Sequence, residues 1–329
     1  MTDDFWQGRN VLVTGASGFI GSHITELLVQ KGANVTATAC LSENGTYPMN
    51  LQSVRERITL IKVDLTHLED CLSACANQDV VVNAAHVDGS VAFKQARPAA
   101  IFRENMLITL HMLEAARRSG VNRFLVMSSA EVYPPDAHVP LAESDGFTGL
   151  PDPLTDGYAW SKRMSEFAAQ VFARQYGLQV AIARPSNVYG PRDSFDSHKG
   201  RVIPMFIKKV FEGDGVITIW GTGEQVRTFL YVEDLARGLL DLIEKYPKCD
   251  PVNFGGEEEI TIKDLAQLIV GLSGRRVEVV CDPTKPSGPP KRTADTRKAK
   301  RLLGFVASVP LHVGLRYTIE AYRKQWQGC

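Results

Sequence analysis

Short apolar runs alternate along the chain with longer stretches whose apolar positions recur at helical spacing. The runs predicted to be strands cover residues 10–14, 35–39, 58–63, 79–85, 124–129 and 179–184. Helical patterns lie between them, notably over residues 105–119 and 158–176. Strands that alternate with helices predict a parallel, doubly wound sheet, so we expect an α/β protein with a Rossmann-type fold. Ligands of such a sheet bind beyond the carboxyl ends of its strands.

The first strand leads directly into a glycine-rich turn, Gly15-Ala16-Ser17-Gly18-Phe19-Ile20-Gly21, and then into a helical pattern. A strand, a glycine turn and a helix in this order favour phosphate binding, because the free amides of the helix N-terminus face the anion. Gly15 permits the tight turn, Gly18 lets the backbone approach a pyrophosphate, and Gly21 lets the helix pack on the strand. The spacing is G-x-x-G-x-x-G, whereas the better-known fingerprint is G-x-G-x-x-G. The turn therefore predicts a bound dinucleotide without saying which one.

Beyond Pro185 the alternation becomes less regular, and glycine and proline interrupt the chain repeatedly. We expect residues 1–184 to form the dinucleotide-binding domain. Residues 185–329 are expected to form mainly a smaller C-terminal substrate-binding domain, with segments that return to the first domain. A chain of 329 residues is long enough for two such closely joined parts.

The overall charge narrows the classes of partner. Lys plus Arg and Asp plus Glu are 37 each, so the formal net charge is zero, and broad binding to nucleic acid or to a membrane is not expected. No apolar run approaches the roughly 20 residues that span a bilayer. The acidic N-terminus lacks a signal-peptide pattern, and we expect a cytoplasmic protein. The six cysteines show no paired spacing, which favours free thiols over a disulfide framework or a metal site.

A second motif is Tyr158-Ala159-Trp160-Ser161-Lys162, which places Tyr and Lys on one face of a helix. A nearby ammonium favours the phenolate and lowers the pKa of a phenol. The pair is therefore suited to exchange a proton with a hydroxyl or a ketone near neutral pH. Ser129, at the end of the fifth predicted strand, is placed to donate to the same oxygen. Each motif alone also fits an ordinary turn or a surface helix, but together they indicate an active site.

With these motifs the sequence resembles the extended short-chain dehydrogenase/reductases, and among them the nucleotide-sugar epimerases, dehydratases and ketoreductases. The resemblance covers nearly the whole chain and rests on residues 14–21, 128–133, 158–162, 184–192 and 227–234. It implies a nicotinamide cofactor, a nucleotide-diphosphate sugar as substrate, and redox chemistry at C4 of the sugar.

The resemblance also implies a role for each matching residue. Ser129, Tyr158 and Lys162 would be catalytic, with Tyr158 exchanging the proton as hydride passes between C4 and the nicotinamide. The positions implied to bind the cofactor are Gly15, Ser17, Gly18, Phe19, Ile20 and Gly21 at the pyrophosphate, Asp64 and Leu65 at the adenine, Ala84 and Ala85 along the cleft, and Tyr158, Lys162 and Pro185 at the nicotinamide. The positions implied to bind the substrate are Ser129, Asn187, Arg201, Val202, Arg227 and Arg292.

The end of the second strand bears on the choice of cofactor. In members that prefer NAD, an acidic residue usually stands there and binds the ribose hydroxyls. Here the position is Ala39, followed by Cys40, Leu41 and Ser42. The acid is missing, and so is an arginine for a 2′-phosphate. We therefore expect NAD or NADP, with a slight preference for NADP.

Two positions bear on the reaction. Residues 86–90 and 187–204 look most like GDP-fucose synthases, whose epimerising Cys and His are replaced here by Glu131 and Arg201. The run Ser129-Ala130-Glu131 resembles instead the Thr/Ser-x-Glu of the 4,6-dehydratases, in which the Glu removes the C5 proton once C4 is oxidised. Glu131 is thus either a base of this kind or a structural carboxylate paired with a nearby arginine.

The leading hypothesis is an NAD(P)-dependent nucleotide-diphosphate-sugar epimerase/dehydratase that acts through a 4-keto intermediate, with Glu131 handling an adjacent C–H bond. The first alternative is an NADPH-dependent reductase of a nucleotide 4-keto-6-deoxysugar, in which Glu131 is only structural. The second, of another class, is a non-catalytic nucleotide-binding protein on the same fold. The helices at 105–119 and 158–176 match those that form a four-helix dimer interface in relatives, and a homodimer is expected.

Overall fold

The structure, a computed structural model, describes residues 5–39, 46–197, 200–285 and 288–327, with side chains up to residue 324. Cys40, Leu41 and Ser42, which bear on the choice of cofactor, lie outside the described residues.

Strands occur in both halves of the chain. They are β1 (Asn10–Thr14), β2 (Asn34–Thr38), β3 (Ile58–Ile61), β4 (Val80–Asn83), β5 (Arg123–Met127), β6 (Gln179–Pro185), β7 (Val188–Tyr189), β8 (Val216–Trp220), β9 (Val226–Thr228), β10 (Leu230–Tyr231), β11 (Val252–Phe254), β12 (Glu259–Thr261), β13 (Glu278–Asp282) and β14 (Lys291–Arg292).

Helices separate most of these strands. They are α1 (Phe19–Gln30), α2 (Leu68–Cys75), α3 (Val91–Ala96), α4 (Pro98–Arg118), α5 (Asp156–Tyr176), α6 (Val202–Glu212), α7 (Val232–Lys245), α8 (Ile262–Ser273), α9 (Arg297–Leu303) and α10 (Leu311–Gln327). Short 3₁₀ helices cover Met49–Arg57, Ala130–Val132 and Glu143–Phe147.

The central sheet has seven strands in the order β11-β6-β5-β4-β1-β2-β3. Every neighbouring pair in it is parallel, which confirms the predicted Rossmann-type fold. The six predicted strands correspond to β1–β6, with ends that differ by a few residues. The strand order reverses between β1 and β4, so a ligand crevice is expected at the carboxyl ends of these two strands.

Both faces of the sheet are covered, because successive side chains of a strand point to opposite sides. Val11 and Val82 pack on the side of α1 and α7. Leu12, Val81 and Phe124 pack on the other side, against α4 and α5. This double coverage explains why the strands appear in the sequence as nearly continuous apolar runs.

The chain beyond Pro185 adds one strand to the central sheet and forms a second apolar core. The short strand β11 returns to the central sheet and pairs in parallel with the outer edge of β6. The elements α6, β8, α8, β13 and α10 enclose a separate apolar core, which we call the C-terminal lobe; its fully buried members include Ile207, Leu265 and Leu315.

Three further observations concern the described ranges alone. No helix in them is long and apolar enough to cross a membrane. Nor do they hold a group of three or more His, Cys, Asp or Glu side chains placed to bind a metal ion. Cys71, Cys75, Cys249 and Cys281 are free thiols.

Candidate active site

The glycine turn lies at the carboxyl end of β1 and tolerates no side chain at two positions. Gly15 has a φ of +62°, and a Cβ there would stand 2.9 Å from the Cα of Ala85. A Cβ on Gly21 would collide with the carbonyl oxygen of Gly15. The helix α1 begins after Gly18 with no side-chain cap, so its first amides stay available to an anion. This backbone geometry fits a pyrophosphate group.

A cavity of about 840 Å³ opens above this turn. Its lining includes ten of the residues predicted to bind a cofactor, namely Gly15, Ser17, Gly18, Phe19, Ile20, Gly21, Asp64, Leu65, Ala84 and Ala85. The structure therefore brings these residues together along one cleft at the carboxyl edge of the sheet. The three residues predicted to contact the nicotinamide, Pro185, Tyr158 and Lys162, are not among the described residues that line this cavity.

Ser129, Tyr158 and Lys162 lie together beside the end of β5. Tyr158 and Lys162 occupy successive turns of α5 and are both buried. The Lys162 ammonium donates to the carbonyl oxygen of Met127 at 2.8 Å and lies 5.4 Å from the centroid of the Tyr158 ring. The Ser129 hydroxyl oxygen accepts from the Glu131 amide at 3.1 Å and is hydrogen-bonded to Tyr158. The three predicted catalytic side chains thus form one cluster.

The protonation of this cluster differs from the sequence-based expectation. Burial, followed by the charges of Asp88 and Glu131, raises the pKa of Tyr158 well above its ordinary value. Burial also lowers the pKa of Lys162 to about 8. The sequence predicted a lowered pKa for the phenol because it displays only the neighbouring lysine. The structure corrects this prediction, since the loss of water on burial, together with the two nearby carboxylates, raises the pKa of the phenol.

A buried lysine that the sequence analysis missed joins the two carboxylates. Lys94, on α3, is only 5% exposed, and its ammonium lies 2.9 Å from Asp88 Oδ1 and in closer contact with Glu131 Oε1. It also lies 4.1 Å from the centroid of the Tyr158 ring. Although burial opposes its charge, Asp88 and Glu131 raise the pKa of Lys94. The ion-pair partner of Glu131 is therefore a lysine, whereas the alternative of a structural carboxylate named an arginine.

Arg201 completes this charge cluster at the edge of the cavity. Its guanidinium lies 3.4 Å from Asp88 Oδ2 and it lines the cavity described above. Burial opposes ionisation of Asp88, yet Lys94 and Arg201 hold the pKa of its carboxyl well below the usual range. Arg201, predicted to bind the substrate, thus lies between this cavity and the cluster of Ser129, Tyr158 and Lys162.

His86 lies on the same side of the cleft as a neutral imidazole. Burial and then the charge of Lys162 lower the pKa of His86 to about 3. Its Nδ1 lies 2.8 Å from the Ala84 carbonyl oxygen, which can only accept, so Nδ1 carries the proton. The ring centroid lies 6.3 Å from that of Tyr158.

The other residues predicted to bind the substrate fall into two groups. Arg227 and Val202 line a second cavity of about 320 Å³ together with Trp220, which is 60% exposed. Asn187 and Arg292 both donate hydrogen bonds to the backbone. The Asn187 side-chain amide donates to the carbonyl oxygen of Thr228 at 2.9 Å. The Arg292 guanidinium donates to the carbonyl oxygens of residues 130 and 133, which places it beside Glu131.

A fully buried ion pair supports the site from below. Arg184 and Glu166 are 2% and 0% exposed, and the guanidinium donates to both carboxylate oxygens at 2.8 and 2.7 Å. Ser128, next to Ser129, donates its hydroxyl to the same carboxylate. Arg184 also donates to the Tyr133 hydroxyl at 3.0 Å. This network fixes the end of β5, from which Ser129 projects.

Comparison with known proteins agrees with this geometry. Residues 11–255 match the NAD dependent epimerase/dehydratase family. The chain is 38% identical over 331 residues to a dTDP-4-dehydro-6-deoxy-D-allose reductase of Streptomyces bikiniensis, covering 98% of this chain and 99% of that protein. It is 30% identical over 322 residues to a GDP-L-fucose synthase of Sinorhizobium fredii, covering 96% of each.

Solved structures of similar proteins share the fold. A UDP-glucose 4-epimerase of Thermotoga maritima with UDP-glucose superposes with a TM-score of 0.85 at 30% identity, covering 96% of this chain and 99% of that one. A dTDP-glucose 4,6-dehydratase of Streptomyces venezuelae with NAD bound gives a TM-score of 0.84 at 26% identity, covering 97% and 98%. The resemblance seen in the sequence is confirmed: the chain belongs to the NAD dependent epimerase/dehydratase family and is an NAD(P)-dependent enzyme of the nucleotide-sugar type.

Proposed function

We propose that the protein is an NADPH-dependent reductase of a nucleotide-diphosphate 4-keto-6-deoxy sugar. The observation that carries this proposal is the pairing of Glu131 with the buried Lys94 beside Tyr158. A base that removes a C–H proton must give up its negative charge. Protonated Glu131 would leave Asp88, within the described ranges, as the one carboxylate paired with two cations, the Lys94 ammonium and the Arg201 guanidinium, and a buried positive charge without its counter-ion is costly. Glu131 therefore acts as a structural carboxylate, and the allose-reductase relatives support the same reaction.

Two hydroxyl groups receive the C4 carbonyl oxygen of the substrate. The Ser129 hydroxyl oxygen accepts from the Glu131 amide and the hydroxyl is hydrogen-bonded to Tyr158, so its hydrogen would turn from the phenol to the C4 oxygen when the substrate binds. Tyr158, whose pKa burial raises, stays protonated and supplies the proton that turns the carbonyl into a hydroxyl. The chemistry supplied by bound NADPH is hydride transfer to C4. The resulting tyrosinate takes a proton back from water.

Two ammonium groups flank the tyrosinate as it forms. Lys162 lies 5.4 Å and Lys94 lies 4.1 Å from the ring centroid. Opposite charge at this distance stabilises the ionised phenol. Lys162 spends one donor on Met127, so two N–H groups remain to hold the cofactor ribose. The glycine turn, from Gly15 to Gly21, would hold the pyrophosphate through backbone amides.

The nucleotide end of the substrate is proposed to occupy the cavity beside Arg227. The Arg227 guanidinium donates through Nη1 to two backbone carbonyls, and its other N–H groups are left for a diphosphate. Trp220 exposes its ring at the same cavity, where a nucleobase can stack.

The reaction test uses purified protein, NADPH and a dTDP-4-keto-6-deoxy sugar in D₂O. We expect one NADPH to be oxidised for each ketone reduced, with no deuterium at C3 or C5 of the product. Tyr158→Phe is expected to abolish reduction while cofactor binding is retained. The proposal fails if NADPH is not consumed and a 4-hydroxy nucleotide sugar is instead epimerised or dehydrated in a manner lost in Glu131→Gln. A protein that turns over no sugar, with ligand binding untouched by Tyr158→Phe, would be a binding protein.

We also propose that the protein is a homodimer through α4 and α5. Large apolar side chains are exposed on both helices, including Phe102 and Leu110 on α4 and Phe167 on α5. Light scattering at micromolar concentration should give twice the chain mass of 36.2 kDa, and Phe167→Glu should shift it toward the monomer. A monomeric wild-type protein would refute the proposal.

A further inference from the structure

Lys62 lies at the end of the cofactor cavity that is farthest from the catalytic cluster. It directly follows β3, whose last residue Ile61 is paired with Thr38 at the end of β2. Thr38, Ala39 and Lys62 all line the cavity. The catalytic tyrosine and lysine stand on the other side, beside β5. Since these fix where the nicotinamide must lie, the adenosine half of a dinucleotide falls over β2 and β3.

The end of β2 is where a Rossmann-type fold reads the 2′-position of the adenosine ribose. At this end Ala39 is a buried, uncharged residue, so it offers neither a carboxylate for ribose hydroxyls nor a cation for a phosphate. The nearby carboxylates in the described ranges, Asp64 and Asp70, already accept hydrogen bonds from neighbouring residues. Asp64 accepts from the Thr66 amide and hydroxyl at 2.9 and 2.7 Å, and Asp70 accepts from the Asp64 amide at 2.7 Å.

Lys62 is an exposed cation without an ion-pair partner within the described part of the chain. Only one other permanent cation lines the cavity there, Arg201, and it is paired with Asp88 at the catalytic end. A flexible four-carbon stem with a compact ammonium can reach an anion anywhere around the end of β2. Lys62 thus supplies at this end the positive charge that Ala39 lacks.

We infer that Lys62 binds the 2′-phosphate of NADPH and makes the enzyme select this cofactor over NADH. The inference rests on the proposed function, because that function assigns NADPH as the reductant. A phosphate monoester carries between one and two negative charges at neutral pH, so its contact with the ammonium is charge-assisted. Loss of such a contact at an exposed site is expected to cost about tenfold in affinity, close to 1.4 kcal/mol.

The test measures binding without any sugar, so it is independent of the reductase assay. Dissociation constants for 2′,5′-ADP and 5′-ADP are measured by calorimetry for the wild type, Lys62→Ala and Lys62→Arg. We expect the wild type to prefer 2′,5′-ADP, Lys62→Ala to lose about tenfold for this probe alone, and Lys62→Arg to keep the preference. Lys300→Ala, which removes an exposed charge on α9, should bind both probes as the wild type does.

Three results would overturn the inference. Lys62→Ala could weaken both probes equally, which would indicate a structural role. It could weaken neither, which would place the phosphate elsewhere. Wild-type protein could bind both probes with the same affinity, so that nothing reads the phosphate. Any of these binding results is compatible with a successful ketone-reduction assay. A failed reduction assay likewise does not change the measured dissociation constants, so each proposal can be refuted without the other. Salt provides a second readout, since only proteins with a cation at position 62, such as the wild type and Lys62→Arg, should lose 2′,5′-ADP affinity faster than 5′-ADP affinity as ionic strength rises.

Discussion

The buried pair of Arg184 and Glu166 sets the stability of the site, and Glu166→Gln tests this. The substitution keeps the shape of the side chain but removes the charge that faces a fully buried guanidinium. The new amide NH₂ must also point at a donor, because Arg184 and Ser128 both donate to the carboxylate. Breaking one side of a buried pair costs about 3–5 kcal/mol. This is a large part of the roughly 5–15 kcal/mol that separates folded from unfolded protein.

The assay is urea unfolding followed by tryptophan fluorescence and far-UV circular dichroism. The matched control is Glu114→Gln on α4, whose carboxylate faces two arginines, Arg117 at 2.7 Å and Arg118 at 2.6 Å. Those pairs are partly exposed, so the control should lose no more than about 1 kcal/mol. A double variant, Arg184→Met with Glu166→Leu, should lose less than the sum of its single variants. The reasoning is refuted if Glu166→Gln costs no more than the control.

Three other outcomes follow from charges and burial near the catalytic cluster. Lys94→Met should lower kcat/KM for NADPH-driven reduction by about tenfold or more, because the ammonium 4.1 Å from the Tyr158 ring no longer stabilises the tyrosinate; a rate within twofold of wild type would contradict this. The pKa of Lys162 is lowered to about 8 by burial, so its charge is lost as pH rises through 8, and kcat/KM should fall there; a flat profile from pH 6 to 9.5 would count against its role. Burial raises the pKa of the Cys71 and Cys75 thiols to about 12, and mass spectrometry should find them alkylated by iodoacetamide only after unfolding; labelling of the native protein would show that they are accessible.

Much of the fold can be predicted from the sequence, because a few neighbouring residues are enough to indicate each of its main strands and motifs. The strands β1 to β6 are short apolar runs between helical patterns, and covered sheets require such runs. The glycine turn and the pair of Tyr158 and Lys162 are likewise visible, since a few residues of spacing define them. The strand β11 was not predicted, because three residues, Val252–Phe254, carry no periodicity, and their place beside β6 depends on the rest of the chain.

The charge cluster of Asp88, Lys94, Glu131 and Arg201 could not be predicted from the sequence, because its contacts join residues that are distant along the chain. Lys94 resembles an ordinary surface lysine in a polar stretch, and its contact with Glu131 joins residues 37 positions apart. The pKa of Tyr158 was predicted in the wrong direction for the same reason. A sequence displays the lysine four residues away, but it does not display burial or the carboxylates that tertiary packing brings near. The same limit explains why the structural alternative for Glu131 named an arginine as its partner, whereas the structure pairs it with Lys94.

The position of β11 has a consequence for how the chain is made. Residues 180–184 of β6 are buried, and β11 pairs with the outer edge of β6 at residues 183–185. A nascent chain that has emerged only to residue 184 therefore presents an apolar strand with unpaired backbone groups, which invites pairing with another chain. The seventh strand of the sheet can form only after residues 252–254 leave the ribosome. A fragment that ends at residue 184 is therefore expected to aggregate.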